Sequence, residues 1–263
     1  MAGSAASDVP RILVSNDDGY LADGLVALAE AMSALGEVWV VAPDREQSAA
    51  SHSISLHRPL RIKQIRPRWY AIDGTPTDSS YLAINHLMKD ARPKLMVSGI
   101  NHGANLADDV TYSGTVAAAI EASLLGVPAI AFSLVTRHRF DFSHAARFAQ
   151  KLAAAVLAHP LPSKMLLNVN IPAGIELTSY AVTRLGKHSY GYDVVENVDP
   201  RGRKYYWIGG SEYQYENIPG SDCNAVLKDK IVSVTPLQLD LTDQALRDEI
   251  RTWQIEGFKN LSH

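Results

Sequence analysis

A strand, a helix and a second strand follow one another near the start of the chain, and this alternation constrains the fold more than any other feature. Arg11 to Ser15 (RILVS) is a short apolar run with β-branched members. Gly24 to Leu35 then places apolar residues at Leu25, Leu28, Met32 and Leu35, the spacing of an amphipathic helix. Gly36 ends that helix, and Glu37 to Ala42 (EVWVVA) reads as the next strand. Strands joined in this way are parallel with a right-handed crossover. Lys94 to Ser98 (KLMVS) and Ala129 to Ser133 (AIAFS) are unbroken apolar runs, suited to central strands covered on both faces. Helices are expected from about Asp78 to Met88, from Ser113 to Leu125 and from Ser143 to Ala158, with a strand at Met165 to Ile171.

After Pro172 the texture changes. Tyr180 to Asn217 is rich in Tyr, Gly and charge, with a turn signal at Asp199-Pro200-Arg201-Gly202, and reads as a projecting hairpin. Ile231 to Leu237 returns as a strand, and a terminal helix is expected from Thr242 to about Phe258. The expected fold is therefore α/β: a three-layer α/β/α, doubly wound, mainly parallel Rossmann-like sheet with a C-terminal β-hairpin extension and a terminal helix. Residues 1–10 are expected to be a flexible extension, 11–179 the catalytic core, and 180–263 an oligomerisation arm belonging to the same unit.

With 263 residues, 46% of them hydrophobic, the chain can bury the core of one such domain. A formal net charge of -3 speaks against a nucleic-acid polymer as partner, which would call for a basic excess. The longest nearly apolar stretch, Leu124 to Leu134, is too short for a bilayer and is broken by Gly126 and Pro128. A lone Cys223 excludes an internal disulfide, and the first ten residues lack the pattern of a secretion signal, so a cytoplasmic location is expected.

In an open parallel sheet, ligands sit outside the carboxyl ends of the strands. Three of those ends are rich in oxygen ligands: Asn16-Asp17-Asp18-Gly19, Pro43 to Ser48 (PDREQS) and Gly99-Ile100-Asn101-His102-Gly103. Carboxylate, hydroxyl and amide oxygens suit a hard cation such as Mg²⁺ or Mn²⁺. Adjacent carboxylates at the end of a buried strand repel unless a cation compensates. The plainer alternative is that Asp17 or Asp18 caps a helix or forms a turn before Gly19. At Thr111 to Thr115 (TYSGT), hydroxyls and free N–H groups at a helix start make a phosphate site, with Ser113 or Thr115 as an ordinary N-cap the alternative. Asp73 to Asp78 is a similar turn into a helix. Of the nine histidines, His52 and His102 lie nearest the suspected site.

Taken in order, ILVSNDDG (12–19), VAPDREQSAASHSIS (41–55), GTPTD (74–78), VSGINHGAN (97–105) and YSGTVAA (112–118) resemble the signature blocks of the SurE nucleotidases. LNVNIP (167–172) and VSVTPL (232–237) continue the match, so the resemblance runs from Arg11 to about Leu241. It implies one divalent cation per subunit, held by Asp17, Asp18, Ser48 and Asn101. It also implies hydrolysis of nucleoside 5′- and 3′-monophosphates, some activity on short polyphosphate, and a homodimer or homotetramer built through the C-terminal arms. The residues before Arg11, and His102 and Ala104 within their block, depart from the family pattern and bear on fine specificity.

The expected chemistry is a cation that polarises both phosphate and water, with Ser113, Gly114 and Thr115 holding the phosphoryl oxygens and Asn16 orienting a ligand or the water. Gly19 stands where a covalent aspartyl-phosphate route would want the second acid of Asp-x-Asp, so direct attack by water is preferred. Two rivals stay open: a calcium-dependent nucleoside hydrolase, which would want more acids than Asn16 to Gly19 offers, and a nucleotide-binding module without turnover. GxGxxG and GxxxxGK[ST] are both absent, which removes the usual dinucleotide and P-loop modes.

Overall fold

The computed structural model describes residues 9–136, 141–174, 178–189, 194–208 and 214–261, so most of the expected N-terminal extension lies outside the described residues. The first strand β1 (Arg11–Ser15), helix α1 (Asp23–Ser33) and strand β2 (Glu37–Pro43) form the expected unit, with β1 and β2 parallel and Ile12 opposite Val38. Along β1 the side chains alternate between two cores. Ile12 and Val14 pack with Leu25, Leu28 and Met32 of α1, while Leu13 packs on the opposite face with Ile84, Met96 and Val116. A strand apolar at every position needs a helical layer on each side, which is the physical origin of the three layers.

Two further strands, β3 (Ile62–Arg66) and β4 (Trp69–Ile72), lead to α2 (Pro76–Leu82). Then follow β5 (Leu95–His102), α3 (Gly114–Leu124), β6 (Ala129–Val135), α4 (Ser143–Ala158) and β7 (Met165–Pro172). Ala145, Ala149 and Ala153 of α4 share the core of α1, and Ala118, Ala119 and Ala122 of α3 belong to the other. Alanines let these helices approach the sheet closely. Phe132 of β6 is fully buried, and truncating it to Ala would cost about 3–5 kcal/mol.

The nine-stranded sheet also takes in β8 (Tyr180–Val182) and β13 (Val232–Gln238), and its order is β3-β4-β2-β1-β5-β6-β7-β13-β8. From β1 the chain runs outward past β2 to the edge strand β3, turns back into β4 between them, and then crosses to β5 on the other side of β1. The crevice at this reversal is where such sheets bind ligands. All pairings are parallel except β3 with β4 and β7 with β13. Because β13 and β8 are hydrogen-bonded into this sheet, the C-terminal segment is part of the core layer as well as an arm.

The arm itself has two roots, β9 (His188–Ser189) and β12 (Gln214–Tyr215), paired antiparallel, and beyond them the hairpin of β10 (Val194–Val198) and β11 (Lys204–Ile208). Its turn is set by Asp199, whose Oδ1 accepts the N–H groups of Arg201 and Arg203.

Three local readings shift. The β3/β4 hairpin is absent from the sequence reading because its edge strand IKQIR is mostly exposed and has no apolar alternation. The second helix starts two residues early, at Pro76. Thr75 and Asp78 form a reciprocal capping box there, and Pro fits the first helical position. The terminal helix α5 covers only Gln244–Ile250, with none of its residues buried. A single capped segment without a packing surface stays short. Among the described residues, no helix is long and apolar enough to cross a membrane.

Candidate active site at the ends of β1, β2 and β5

Three neighbouring strands deliver their ends to one place. The backbone oxygen of Asp17 accepts the Gln47 N–H at 2.8 Å, which draws the end of β2 onto that of β1. Asp18 Oδ2 accepts the His102 N–H at 3.3 Å, which brings in β5. Gly19 adopts φ +98°, and a Cβ there would lie 3.2 Å from the Arg45 carbonyl carbon. Glycine is what lets these ends close.

Asp17 is only 5% exposed. Burial raises its pKa from the ordinary 3.8 to about 6; the hydroxyl of Thr115, donating to Oδ1, works against that rise, and the charge of Asp18 adds to it. The pKa of Asp18 is raised as well, first by burial, with the His102 charge and N–H lowering it and Glu46 raising it. Asn16 donates from Nδ2 to the Gly19 carbonyl at 3.0 Å, while its buried Oδ1 has no hydrogen-bond donor. Side-by-side carboxylates, both disfavoured as anions, next to an orphaned amide oxygen, fit a hard cation.

The other two proposed ligands are neutral. Asn101 donates from Nδ2 to the Gly103 carbonyl at 3.0 Å, which leaves Oδ1 as the atom to offer a cation. It follows a register shift between β5 and β6, the kind of irregularity that re-aims a side chain. Ser48 donates its hydroxyl proton to Glu46 Oε1 at 2.7 Å and keeps its lone pairs. Among the described residues, no three of His, Cys, Asp and Glu gather closely enough to hold a metal by themselves. Neutral oxygens would have to complete the set.

In the turn expected to hold phosphate, the side chains are engaged within the protein. Ser113 is the N-cap of α3, its Oγ accepting the Val116 N–H at 3.1 Å, and Thr115 is committed to Asp17. Gly114 packs directly on the site, since a Cβ there would meet Asp17 Cβ at 2.7 Å. What remains to face a ligand is the backbone at the start of α3, a helix N-terminus with its N–H groups and dipole.

The segment from Ser48 to Ser55 is pinned over this turn. Ser51 donates from N and Oγ to the Tyr112 and Thr111 carbonyls, Thr75 Oγ1 donates to the Ser53 carbonyl, and the Ser55 N–H reaches Asp78 Oδ1. Ala49 and Ser51 take φ of 56° and 53°. Strained backbone of this kind persists where the surroundings hold it. His52 pairs with Glu121 of α3 at 2.8 Å, so it braces the loop, while the ring of His102 stacks on Phe142 with centroids 5.2 Å apart.

One group carries a role that the sequence reading gave to none of its members. The Asn105 N–H donates to Asn170 Oδ1, its carbonyl accepts from both Asn168 Nδ2 and Asn170 Nδ2, and its own Nδ2 donates to Ser133 Oγ, all at 2.8 Å. This buried network fixes the loop after Asn101. The signal was visible as two asparagines two apart, on one face of an otherwise apolar central strand.

A family model described as Survival protein SurE matches residues 12–192. The chain belongs to the SurE family. A SurE relative described as 5′-nucleotidase SurE, from Myxococcus xanthus, is 71% identical over 248 residues, covering 94% of this chain and 95% of its own. Another of the same description, from Anaeromyxobacter dehalogenans, is 58% identical over 250 residues, covering 95% and 98%. The crystal structure of the SurE protein from Aquifex aeolicus superposes with a TM-score of 0.83 at 42% identity, covering 92% of this chain and 98% of that one. Every strand end and turn described above, up to Thr115, falls within the matched SurE segment.

Proposed function

We propose that this chain is a divalent-metal-dependent phosphomonoesterase that hydrolyses nucleoside 5′- and 3′-monophosphates to nucleoside and phosphate, with activity on short polyphosphate. The observation that carries this reading is the buried Asp17, held beside Asp18 with both carboxyls raised in pKa, at the switch point of the sheet. Relatives named 5′-nucleotidase SurE at 71% and 58% identity support the reaction class.

Asp17, Asp18, Ser48 and Asn101 would hold one Mg²⁺ or Mn²⁺. When bound, the cation neutralises the two carboxylates and supplies a Lewis acid for a phosphate oxygen. The chain's own groups do the rest. Thr115 fixes the rotamer of Asp17 through its hydroxyl. The first-turn N–H groups at Gly114 and Thr115 donate to phosphoryl oxygens, as helix N-termini do. Asn16 Oδ1, an acceptor without a donor, receives a hydrogen bond from the attacking water and aims it. Gly19, two residues after Asp17, offers no second acid for an aspartyl-phosphate intermediate, so the nucleophile is water.

The arm and tail support a homodimer or homotetramer. Tyr206, Trp207 and Ile208 on the hairpin and Trp253, Ile255 and Phe258 on the tail are all exposed, and apolar surface of this extent marks an interface. The one cysteine, Cys223, is buried and free, in keeping with a reducing cytoplasm.

A phosphate-release panel over 5′- and 3′-nucleotides and polyphosphate, with Mn²⁺ or with chelator, tests the reading. Wild type is expected to release phosphate only with metal, and Asp17→Asn to lose at least about a hundredfold, as when a group stabilising transition-state charge is removed. Activity that survives both chelator and substitution sinks it. Release of free base without phosphate would select a nucleoside hydrolase instead.

A further inference from the structure

The roots of the arm are clamped onto the turn that enters α3. His188, at the first root, faces Asp109 with Nδ1 3.1 Å from Oδ2, and its side chain is 5% exposed. Asp109 lies in the single 3₁₀ turn Ala107–Thr111, and its backbone carbonyl accepts the N–H groups of both Tyr112 (3.0 Å) and Ser113 (3.1 Å). Ser113 in turn caps α3, and Thr115 two residues on, in the helix's first turn, holds Asp17. A second fastening runs in parallel. The buried Asp222 accepts the Gly186 N–H at 2.7 Å through Oδ1 and the Ala107 N–H at 2.9 Å through Oδ2, so it too joins the arm's root to the start of the same turn.

An unbroken series of contacts therefore leads from the arm to the carboxylate of the site: His188, Asp109, Ser113, the first turn of α3, Thr115, Asp17. None of the first three has to touch substrate through its side chain for the series to matter. A helix N-terminus grips phosphate only if its N–H groups point at the ligand, and that direction is set by the turn before it. Resting on the reading of this turn as the phosphate side of the active site, we propose that His188 is a positioning residue. Through Asp109 it holds the 107–113 turn in the setting that grips substrate phosphate, so the seating of the arm governs phosphate affinity.

The interaction is sensitive to pH. Among the described residues, the charged groups that act on His188 are Asp109 and Asp108 from the 3₁₀ turn and Asp222 from the segment behind it. The Asp109 carboxylate, 3.1 Å from Nδ1, raises its pKa most, and the charges of Asp222 and Asp108 add to that while burial opposes it. A raised histidine pKa means the clamp is complete below the ordinary value of 6.5 and weakens as pH climbs through the folded one.

The test compares wild type, His188→Gln and Asp109→Asn as full chains, with adenosine 5′-monophosphate and Mn²⁺ between pH 6 and 9. At pH 6.5 both variants are expected to raise KM by about five- to tenfold, the usual reach of coupling between sites, with kcat within about twofold. Wild-type KM should rise toward the variants' value with pH, and the His188→Gln profile should lack that component. Amide exchange supplies a readout independent of turnover: the N–H groups of Tyr112 and Ser113 should lose protection in His188→Gln while those of β1 and β5 keep theirs. A merely structural histidine would lower the melting temperature and the active fraction, leaving KM and its pH profile unchanged, and that result overturns the proposal. If wild type releases no phosphate, the phosphatase reading fails, and exchange at Tyr112 and Ser113 alone decides the link: unchanged protection there overturns it.

Discussion

Replacing Asp17 with Asn should make the metal-free protein more stable and the metal-loaded one less so. At neutral pH the folded chain holds an ionised carboxylate whose folded pKa, about 6, stands well above the ordinary 3.8. A folded pKa raised in this way means the native state binds the extra proton, so stability contributed by the protonated form is intact below about pH 4. It is lost as pH rises to about 6, and the penalty then stays constant at about 3 kcal/mol. Asn removes the charge, keeps the shape and still accepts the Thr115 hydroxyl through Oδ1. Its new N–H pair replaces Oδ2, and a buried donor without an acceptor costs about 1–3 kcal/mol, which offsets part of the gain. The net expectation is a stabilisation of up to about 2 kcal/mol in chelator at pH 7.5, vanishing or reversing at pH 4, where wild type is already protonated. Adding Mn²⁺ should stabilise wild type by about 2.7 kcal/mol at a hundred times its dissociation constant and the variant far less. Urea unfolding followed by circular dichroism, at the two pH values with and without metal, measures all four differences. If Asp17→Asn is the less stable protein in chelator at pH 7.5, or gains as much from Mn²⁺ as wild type, then Asp17 is neither strained nor a ligand.

Gly114→Ala should damage the site and spare the fold. The new methyl would lie 2.7 Å from Asp17 Cβ, 2.9 Å from its Oδ2 and 3.1 Å from Pro76 Cγ, so Asp17 must move. Overpacking of this sort costs about 1–3 kcal/mol, and a displacement near 1 Å lowers catalysis by about a hundredfold; an active variant with wild-type metal affinity would contradict the packing. Asn170→Ala removes both the acceptor of the Asn105 N–H and one donor to its carbonyl, a loss of about 1–3 kcal/mol in urea unfolding. It should also lower kcat/KM, because the loop after Asn101 loses its anchor. A variant as stable as wild type would mean that water replaces the amide.

The parts of the fold that were legible in the sequence are those where one periodicity decides. RILVS, EVWVVA, KLMVS and AIAFS could only be buried strands, and Leu25, Leu28 and Met32 could only be one face of a helix. The β3/β4 hairpin was not legible, because an edge strand such as IKQIR draws its stability from backbone pairing with β4 and from Arg66 lying over Trp69, 4.1 Å from the ring centroid. Neither leaves a period in the sequence. The tail misled for the opposite reason: its apolar residues continue past Ile250, but none of the described residues covers them, and the helix stops.

At the site, residue types were legible and their commitments were not. Asn16, Asp17, Asp18, Ser48 and Asn101 became candidates because strand ends converge at a switch point, a rule of topology, and the resemblance to the SurE nucleotidases implied four of them as ligands. Ser113 and Thr115 are the same kind of residue two apart, and both carry hydroxyls suited to phosphate. Yet one is spent on capping α3 and the other on Asp17. Which of two chemically equal groups faces a ligand depends on what the rest of the chain puts within 3 Å of it. For Thr115 that neighbour is 98 positions away, and for the turn beginning at Ala107 it is Asp222, 115 positions away. On the proposed function, the phosphate grip would rest on backbone direction more than on hydroxyls. Thr115→Val should therefore act on the acid limb of metal binding, by withdrawing the contact that lowers the pKa of Asp17, and leave nucleotide affinity at saturating metal within about twofold, as expected when phosphate is held by helix N–H groups.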